Sequence, residues 1–564
     1  MTVAHRLILR WVPSGYALAL TLAVTAPLLT PGYLLVRDAV STPRSYLSDS
    51  AIGLGESAPR AVPQDFAVAV LSAILDGGVV VKAVLMAGLF LAGWGASRLA
   101  AQLLPDAGVP GQLVAATVAI WNPYVAERLL QGHWSLLLAY GVLPWVAAAV
   151  VRLRTGPADR SAWAAVVFWI ALAGLTPTGV MLAATVALVC LAVPGDGVGR
   201  IRCGAAIVVV AVLAALPWLT TSALGSALGG SQSAGLAPFA ARAEPGLGTL
   251  GSLAGLGGIW NAEAAPHSRT TLVALVATVV LLAVVACGIP ALLRCPAAKP
   301  LLILAAVSVL VVAAMATGPG LALSRAVVDG VPGLAVLRDG QKWVACAMPG
   351  YTLAGAGAIV TLRRWMRPGV SAAVCAAAVI AVLPDLAWGV GGNLAPVHYP
   401  QGWAAVAARI NTDPQDVAVL PSDTMRRFGW AGPAPILDPL SRWVRADVLS
   451  TGDLIVSGRT VAGEGDHARE VHRLLSDGAD RATLAAAGVG WVVTETGSQM
   501  MPQLPVAYSD GDLTLYRVGG MSPAIPQWKR NAVTAAHLIW AGMLVFSATV
   551  LGVRTLRRRP QSSV

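Results

Sequence analysis

Long apolar runs recur along this chain, and they constrain its fold more than any other feature of the sequence. Of its 564 residues, 56% are hydrophobic and 12% are charged, and this charged share is about half that of an ordinary soluble domain. A run of about 18 or more apolar residues is long enough to cross a bilayer as a helix. We therefore predict a polytopic α-helical membrane protein.

The apolar runs predict about twelve transmembrane helices in a chain of three regions. A multi-helix transmembrane domain takes residues 1–390, a small extracytoplasmic α/β domain takes residues 391–529, and the last transmembrane helix with a basic cytoplasmic tail takes residues 530–564. The fifth and sixth spans are short and are divided by Thr176-Pro177-Thr178, so they form either two helices or one kinked helix. The approximate spans are 14–36, 78–99, 108–122, 134–152, 162–175, 178–193, 202–221, 271–293, 300–317, 344–361, 368–390 and 530–552.

The positions of Arg and Lys predict the sidedness of the chain. The net charge of +11 does not indicate a nucleic-acid partner, because most of these cations lie in short loops between apolar runs, as in the cytoplasmic loops of membrane proteins. With the N-terminus inside, every predicted inner loop carries a cation beside a helix end. Lys529 and Arg530, at the outer end of the last helix, are contrary to this pattern. The segments placed outside are 37–77, 222–270, 318–343 and 391–529.

The outer segments differ in their predicted structure. Residues 222–270 are rich in Gly, Ser and Ala and are expected to be mobile until something binds them. Residues 65–75 are expected to form a short helix along the membrane interface. Residues 391–529 contain no cysteine, so neither a disulfide nor a structural zinc is expected there. The pattern of this last segment predicts strands at 416–420 and 491–494, helices at 467–475 and 483–487, and a hairpin at 508–516.

Three clusters of charged and aromatic residues are predicted to lie at the outer membrane surface. Polar groups at this depth need partners or a water-filled cavity, and Tyr and Trp beside them are typical of the membrane interface. The first cluster follows the first predicted helix, the second joins the third and fourth helices, and the third precedes the tenth. Their charged members and histidine are Arg37, Asp38, Asp49, Glu56, Arg60 and Asp65, then Glu127, Arg128 and His133, and then Arg338, Asp339 and Lys342.

The second and third clusters carry a resemblance to a known family. The segments NPYVAERLLQGHWSLLLAYGVLPW and LRDGQKW, with a carboxylate after the first helix and a late outer domain, resemble the GT-C superfamily of membrane glycosyltransferases. The likeness is greatest to its actinobacterial arabinofuranosyltransferase-type members and covers roughly residues 10–390. It implies a plasma-membrane enzyme that takes a sugar, arabinofuranose or mannose-like, from a polyprenyl-phosphate donor and adds it to a cell-envelope glycan or lipoglycan on the outer face. By this resemblance, Asp38 matches the catalytic carboxylate.

The residues themselves suggest the same chemistry. Transfer of a sugar from phosphate to a hydroxyl needs a base, and a carboxylate in a dehydrated pocket can have the raised pKa of a base. Asp38 is the first candidate for this base and Asp49 the second. Fixed positive charge stabilises the departing phosphate, which is the role expected of Arg338 and Lys342. Substrate contacts are also expected from Arg37, Glu127, Arg128, His133 and Asp339. No metal or cofactor is expected.

Ordinary structural roles and other functions are also open at this point. Asp38 can be the first solvated residue beyond a helix, and Arg338 and Lys342 can extend to lipid headgroups. A transporter or lipid flippase has a similar number of helices, but ionisable groups near mid-membrane and two related halves would be expected, and the sequence shows neither. A non-catalytic envelope-assembly protein would not need the carboxylate of the first outer segment.

Overall fold

The computed structural model describes residues 3–55, 61–225, 235–330, 334–456, 458–495, 501, 503–522 and 524–557. Its α-helices are, in chain order, α1 (Val3–Thr25), α2 (Gln64–Leu71), α3 (Gly77–Leu103), α4 (Gly108–Ile120), α5 (Pro123–Leu130), α6 (Trp134–Thr155), α7 (Arg160–Ala173), α8 (Pro177–Val189), α9 (Arg200–Leu224), α10 (Gly248–Ala254), α11 (Val273–Leu293), α12 (Lys299–Met315), α13 (Gly318–Gly330), α14 (Met348–Leu362), α15 (Pro368–Ala381), α16 (Ala387–Gly391), α17 (Gln401–Thr412), α18 (Leu440–Trp443), α19 (Asp466–Ser476), α20 (Arg481–Ala486) and α21 (Gln527–Arg557). Its strands are β1 (Leu35–Val36), β2 (Ala39–Val40), β3 (Val417–Leu420), β4 (Met425–Arg426), β5 (Ile436–Leu437), β6 (Val448–Leu449), β7 (Leu454–Val456), β8 (Arg459–Val461), β9 (Trp491–Glu495), β10 (Val506–Ser509) and β11 (Leu513–Arg517).

Each of the twelve predicted spans contains a helix, but fewer helices are long enough to cross a membrane alone. Among the described residues, seven helices meet the requirements of length and apolar composition, and two bent pairs, α12 with α13 and α15 with the segment 384–391, would raise this number to nine. Helices α4, α7 and α8 have 13, 14 and 13 residues, whereas a crossing needs about 20. The chain is a multi-pass membrane protein, with seven to nine spans by this criterion.

The first helix ends earlier than the sequence predicts. It stops at Thr25 and continues only as a 3-10 turn to Leu29, because Pro27 and Pro31 lack the N–H group that a longer helix would need. The prediction of a span at 14–36 is therefore wrong at its outer end. The residues beyond it form the antiparallel hairpin of β1 and β2.

The fifth and sixth predicted spans are two separate antiparallel helices. Pro177 occupies the first turn of α8, after an extended Thr176, which is a favoured position for proline at a helix start. At the opposite end of these helices, Arg154 of α6 donates hydrogen bonds to the carbonyls of Val193 and Val198, which follow α8. The chain therefore turns back between α7 and α8.

The centre of the bundle is formed by α3, α4, α6 and α14. In the spans Trp134–Thr155 and Gly340–Leu362, 83% and 89% of the residues in the apolar window are buried, compared with 22% for Gln527–Val553. Glycines allow close helix approach in this centre, since a Cβ on Gly141 of α6 would meet the backbone of Gly88 of α3. The described members of the first, second and third polar clusters lie at one end of this packed core.

The segment 235–270, within the Gly-, Ser- and Ala-rich stretch, contains a buried ion pair. Arg269 and Glu244 are both fully buried, and Arg269 Nε donates to Glu244 Oε1 at 3.0 Å. Two buried opposite charges stabilise a fold only when they hold each other with good geometry. The sequence pattern did not reveal this pair because its members are 25 positions apart in a Gly- and Ala-rich stretch.

The C-terminal domain contains a five-stranded sheet of order β10-β11-β9-β3-β6. Strand β3 pairs in parallel with β9 and β6, whereas β11 pairs antiparallel with β9 and β10. Trp403 of α17 packs with one apolar cluster of this domain, and Val471 of α19 packs with the other. The predicted strands, helices and hairpin of this region are all present.

The two contrary cations, at the N-terminal end of the last helix, have partners from the bundle. Arg530 forms an ion pair with Asp49, with an Nη2–Oδ2 distance of 2.6 Å, and Lys529 donates to the carbonyl of Leu224 at the end of α9 at 3.0 Å. These contacts bring the start of α21, the end of α9 and the segment after α1 to the same end of the bundle. The predicted topology requires the same arrangement.

Candidate active site

A cavity of about 700 Å³ lies between the helical bundle and the C-terminal domain. Its walls come from the β1–β2 turn, the segment before α6, the start of α8 and the end of α9. The segment 239–263, the segment before α14 and the loops of the C-terminal domain complete them. The lining side chains that bear on function are Arg37, Asp38, Gln131, His133, Thr178, Trp218, Phe239, Arg242, Trp260, Asn261, Glu263, Arg338, Asp339, Lys342, Arg427 and Arg442.

Arg37 and Asp38 form the turn of the β1–β2 hairpin. Arg37 has a φ of +47°, a left-handed conformation that is uncommon for residues other than glycine and is often found at functional sites. The C-terminal domain holds this turn, because Arg37 N donates to Pro435 O at 2.9 Å and Leu437 N donates to Arg37 O at 3.1 Å. Asp38 is therefore placed by tertiary contacts and not by the end of a helix.

The side chain of Arg37 serves the structure of the turn. Its Nη1 donates to the carbonyl of Leu130 at 2.7 Å, and its Nη2 donates to the carbonyl of Glu263 at 2.7 Å. The residue is 5% exposed. Arg37 lines the cavity as predicted, but its guanidinium is already engaged by two backbone carbonyls.

The Asp38 carboxylate faces the cavity with 39% of its side chain exposed. His133 Nε2 lies 2.9 Å from its Oδ2, and Gln131 Nε2 donates to the same oxygen at 3.3 Å. Desolvation opposes ionisation, but the hydrogen bonds from His133 and Gln131 and the charge of Lys342 hold the pKa of Asp38 below its ordinary value. This direction is opposite to the raised pKa expected for a base at this position.

Arg128 lies behind the cavity wall. Its Nη1 donates to Asp339 Oδ2 at 2.7 Å and its Nη2 donates to Asp339 Oδ1 at 3.1 Å, the two-pronged geometry that makes Arg–carboxylate pairs strong. Nη1 also lies 3.1 Å from His133 Nδ1. The Arg128 side chain is fully buried and does not line the cavity. The prediction of direct substrate contact for Arg128 is therefore corrected, because Asp339 and His133 occupy its donors.

Glu127 is also buried and also stands behind the wall. Its two carboxylate oxygens accept hydrogen bonds from the backbone nitrogens of Gly258 at 3.1 Å and Ile259 at 3.2 Å, and from Gln341 Nε2 at 3.0 Å. The prediction that Glu127 contacts the substrate is also corrected, because its carboxylate is buried and already accepts these three hydrogen bonds. Its position holds the loop that carries Trp260 and Asn261 against the cavity.

Arg338 and Lys342 both line the cavity that holds Asp38. The guanidinium of Arg338 lies over the ring of Phe239, with 4.4 Å between Cζ and the ring centroid. Lys342 Nζ is 3.8 Å from Asp339 Oδ2. The two cations predicted to hold a phosphate are thus on the same cavity as the predicted base.

Other predicted site residues lie elsewhere. Asp49 is paired with Arg530 and does not line the cavity, so its candidacy as a base is corrected. Asp65, on α2, pairs with Arg442 of the C-terminal domain at 3.3 Å. Glu56 and Arg60 lie outside the described residues.

Several cavity residues were missed by sequence reasoning. Arg242, Trp260 and Glu263 belong to the segment that was expected to be mobile, and Arg427 and Arg442 belong to the C-terminal domain, which was treated as a separate unit. Gln131, within the first quoted segment, was the one with a usable signal, since it lies two positions before His133 in a polar stretch. Among the described residues, no group of three or more His, Cys, Asp or Glu side chains is placed to hold a metal ion.

Comparison with solved structures shows that this chain shares its fold with a larger membrane protein. The chain is similar to the arabinofuranosyltransferase AftD from Mycobacteria, with a TM-score of 0.59 and 17% identity over 91% of this chain and 40% of that chain. A mutant form of AftD gives a TM-score of 0.48 and 16% identity over 91% of this chain and 42% of that chain. The resemblance expected from the sequence is confirmed for the fold.

The likeness covers only part of the solved AftD chain. This chain spans about two fifths of the length of AftD, and at such identity the likeness shows a shared fold. No family model matches the sequence, and no curated protein matches it.

Proposed function

We propose that this protein is a GT-C glycosyltransferase that moves a sugar from a polyprenyl-phosphate donor to a cell-envelope glycan or lipoglycan on the outer face of the plasma membrane. One observation carries the proposal. Asp38 lines the same cavity as Arg338 and Lys342, although 300 positions separate Asp38 from Arg338 (338 − 38). An ionised carboxylate beside two cations is the arrangement that transfer from a phosphate leaving group needs.

In this mechanism the acceptor hydroxyl donates a hydrogen bond to the Asp38 carboxylate. The hydroxyl oxygen forms a bond to the anomeric carbon of the donor sugar, and its proton passes to Asp38. The bond between that carbon and the phosphate oxygen breaks, and its electron pair leaves with the phosphate. Arg338 and Lys342 stabilise the negative charge that develops there. The lowered pKa of Asp38 favours its carboxylate form, which is the form that can accept this proton.

The walls of the cavity support access from two directions. On the membrane side, Trp218 of α9 and Thr178 of α8 line it, and α9 exposes Val209 and Val212 on its outer surface. A polyprenyl tail remains in the bilayer, so its phosphate has to be bound at a helix end. On the other side, Arg427 lies at the rim in an ion pair with Glu263 at 3.5 Å, which supports approach of a polar acceptor past the C-terminal domain.

The choice of donor sugar follows from the likeness to AftD, whose name describes arabinofuranosyl transfer. The test is to incubate the purified chain in lipid nanodiscs with labelled polyprenyl-phosphate arabinofuranose, or with the mannose analogue, and with glycan acceptors. A labelled glycan product is expected with one of these donors. Absence of product with both donors, from protein that binds neither, would contradict the proposal.

A further inference from the structure

The side chains around Asp38 form a chain of contacts that reaches from the cavity into the bundle. It runs from Asp339 through Arg128 and His133 to Asp38, with successive distances of 2.7, 3.1 and 2.9 Å. Arg128 is fully buried and His133 has 14% of its side chain exposed. The contacts of Arg128 decide which nitrogen of His133 carries a proton.

A guanidinium donates hydrogen bonds and accepts none. His133 Nδ1, 3.1 Å from Arg128 Nη1, is therefore the acceptor in that contact. A neutral imidazole with an unprotonated Nδ1 carries its proton on Nε2, and Nε2 is the atom that faces Asp38 Oδ2. A second proton on Nδ1 would place two donors and two positive charges against each other. This geometry favours a neutral His133 that carries its proton on Nε2.

A second chain of contacts fixes Gln131 in the same way. Gln131 Oε1 accepts a hydrogen bond from Asn261 Nδ2 at 2.9 Å, so that the other end of its amide, Nε2, is the donor toward Asp38 at 3.3 Å. Within the described residues, both side-chain hydrogen bonds to the Asp38 carboxylate go to Oδ2. Oδ1 is thereby left for the acceptor hydroxyl.

We propose that His133 is a positioning residue for the transfer reaction, held by Arg128 as the neutral Nε2–H tautomer, and that it orients Asp38 so that Oδ1 acts as the base. This inference rests on the proposed function for the identity of the reaction. His133 does not transfer a proton itself. Its Nδ1 accepts a hydrogen bond from Arg128, and its Nε2 already carries a proton that it donates to Asp38 in a hydrogen bond.

The charged groups around His133 and Asp38 favour the neutral form of His133. Burial lowers the pKa of His133, and Lys342 and Arg128 lower it further, against the opposing effect of Asp38. Arg37 also lies close enough to Asp38 to interact with its charge, and Asp339 is paired with Arg128. In the native protein, the rate of transfer should therefore fall on the acid side only as Asp38 itself is protonated.

Three variants test the role. His133→Leu removes the donor to Asp38, whereas His133→Gln keeps an N–H group at a similar distance from the backbone. The double variant Arg128→Gln with Asp339→Asn removes both charges of the buried pair together, which avoids a single unpaired charge, and frees His133 Nδ1 to take a proton. Thermal unfolding of each variant identifies those that have failed to fold.

The expected results separate positioning from general stability. His133→Leu should lower kcat by roughly 10- to 100-fold with a smaller change in the KM for donor, and His133→Gln should restore most of the rate. In the double variant, protonation of His133 should place a positive charge beside Asp38 and weaken the base. The acid limb of the pH–rate profile should then follow the protonation of His133, at a higher pH than the protonation of Asp38. Equal rates for His133→Leu and the native protein, or an unshifted profile in the folded double variant, would overturn the inference.

A measurement that does not depend on activity distinguishes this inference from the proposed function. Nitrogen-15 NMR of histidine-labelled protein reports the tautomer of each ring, and the spectrum of His133→Gln identifies the signal of His133 among the seven histidines. The signal should show a neutral Nε2–H ring in native protein and an imidazolium at mildly acidic pH in the double variant. A protonated Nδ1 in the native protein would overturn the inference, even if sugar transfer were observed.

Discussion

Gly132→Ala should displace the turn that carries Asp38. Gly132 has a φ of +80°, and a Cβ at this position would come within 3.0 Å of the backbone nitrogen of Ala39 and the backbone oxygen of Val36. These two atoms lie on the strands that flank Asp38. Because both belong to the backbone, neither can rotate away as a flexible side chain would.

The size of the effect follows from that geometry. Ordinary Cβ contacts begin at 3.4 Å, so the hairpin and the segment before α6 would have to separate, by up to about 1 Å. A misplacement of about 1 Å in a catalytic group can cost about 10²-fold in rate. The left-handed backbone and the overpacking together should also lower the free energy of unfolding by about 2–5 kcal/mol.

The matched control is Gly542→Ala on α21. A Cβ on Gly542 would meet nothing within 4 Å, and alanine is favoured over glycine in a helix by about 1 kcal/mol. Sugar transfer at saturating donor and thermal unfolding should be measured for both variants. A Gly132→Ala protein with the native rate and the native unfolding temperature would refute the packing of the turn described above. Gly542→Ala should keep the native rate and should not lower the unfolding temperature.

Three further predictions concern the surroundings of the site. Arg269→Met should lower the free energy of unfolding by about 3–5 kcal/mol because it leaves Glu244 buried without its partner, and thermal unfolding should show partial recovery when Glu244→Gln is added. Asp49→Asn should leave the rate of sugar transfer unchanged, since Asp49 does not line the cavity; a large loss of rate would return it to the list of candidate bases. On a cysteine-free background, a cysteine replacing Arg459 should react with an impermeant maleimide in intact cells and one replacing Arg367 should be protected, and the reverse pattern would contradict the proposed sidedness.

The helices of this chain were predictable because each apolar run is long and because few charges interrupt it. The same reasoning overestimated the first span, since hydropathy continues through Leu34, Leu35 and Val36 although Pro27 and Pro31 have already ended the helix. An apolar stretch that forms a small buried hairpin has the same composition as one that lies in lipid. The backbone contacts with Pro435 and Leu437, which distinguish the two, come from the C-terminal domain.

The sequence placed three charged residues of this cavity together, but it did not give the arrangement of the side chains around them. Asp38, Arg338 and Lys342 were expected together because each lies beside a predicted helix end on one side of the membrane. The pairing of Arg128 with Asp339, 211 positions apart, depends on packing that no local pattern encodes. For this reason Arg128 was expected at the substrate and is instead found behind His133. Asn261 was missed because its partner Gln131 lies on another segment, 130 positions away.

The central claim, that Asp38 is the base of a sugar transfer, is tested most directly by Asp38→Asn. The substitution keeps the size and polarity of the side chain but removes its ability to take a proton. The measurement is the rate of transfer from labelled polyprenyl-phosphate sugar to a glycan acceptor, together with binding of the donor to the same protein. We predict a loss of about 10²–10⁴-fold in kcat with donor binding retained, because Arg338 and Lys342 are unchanged. A native rate in folded Asp38→Asn would contradict the account.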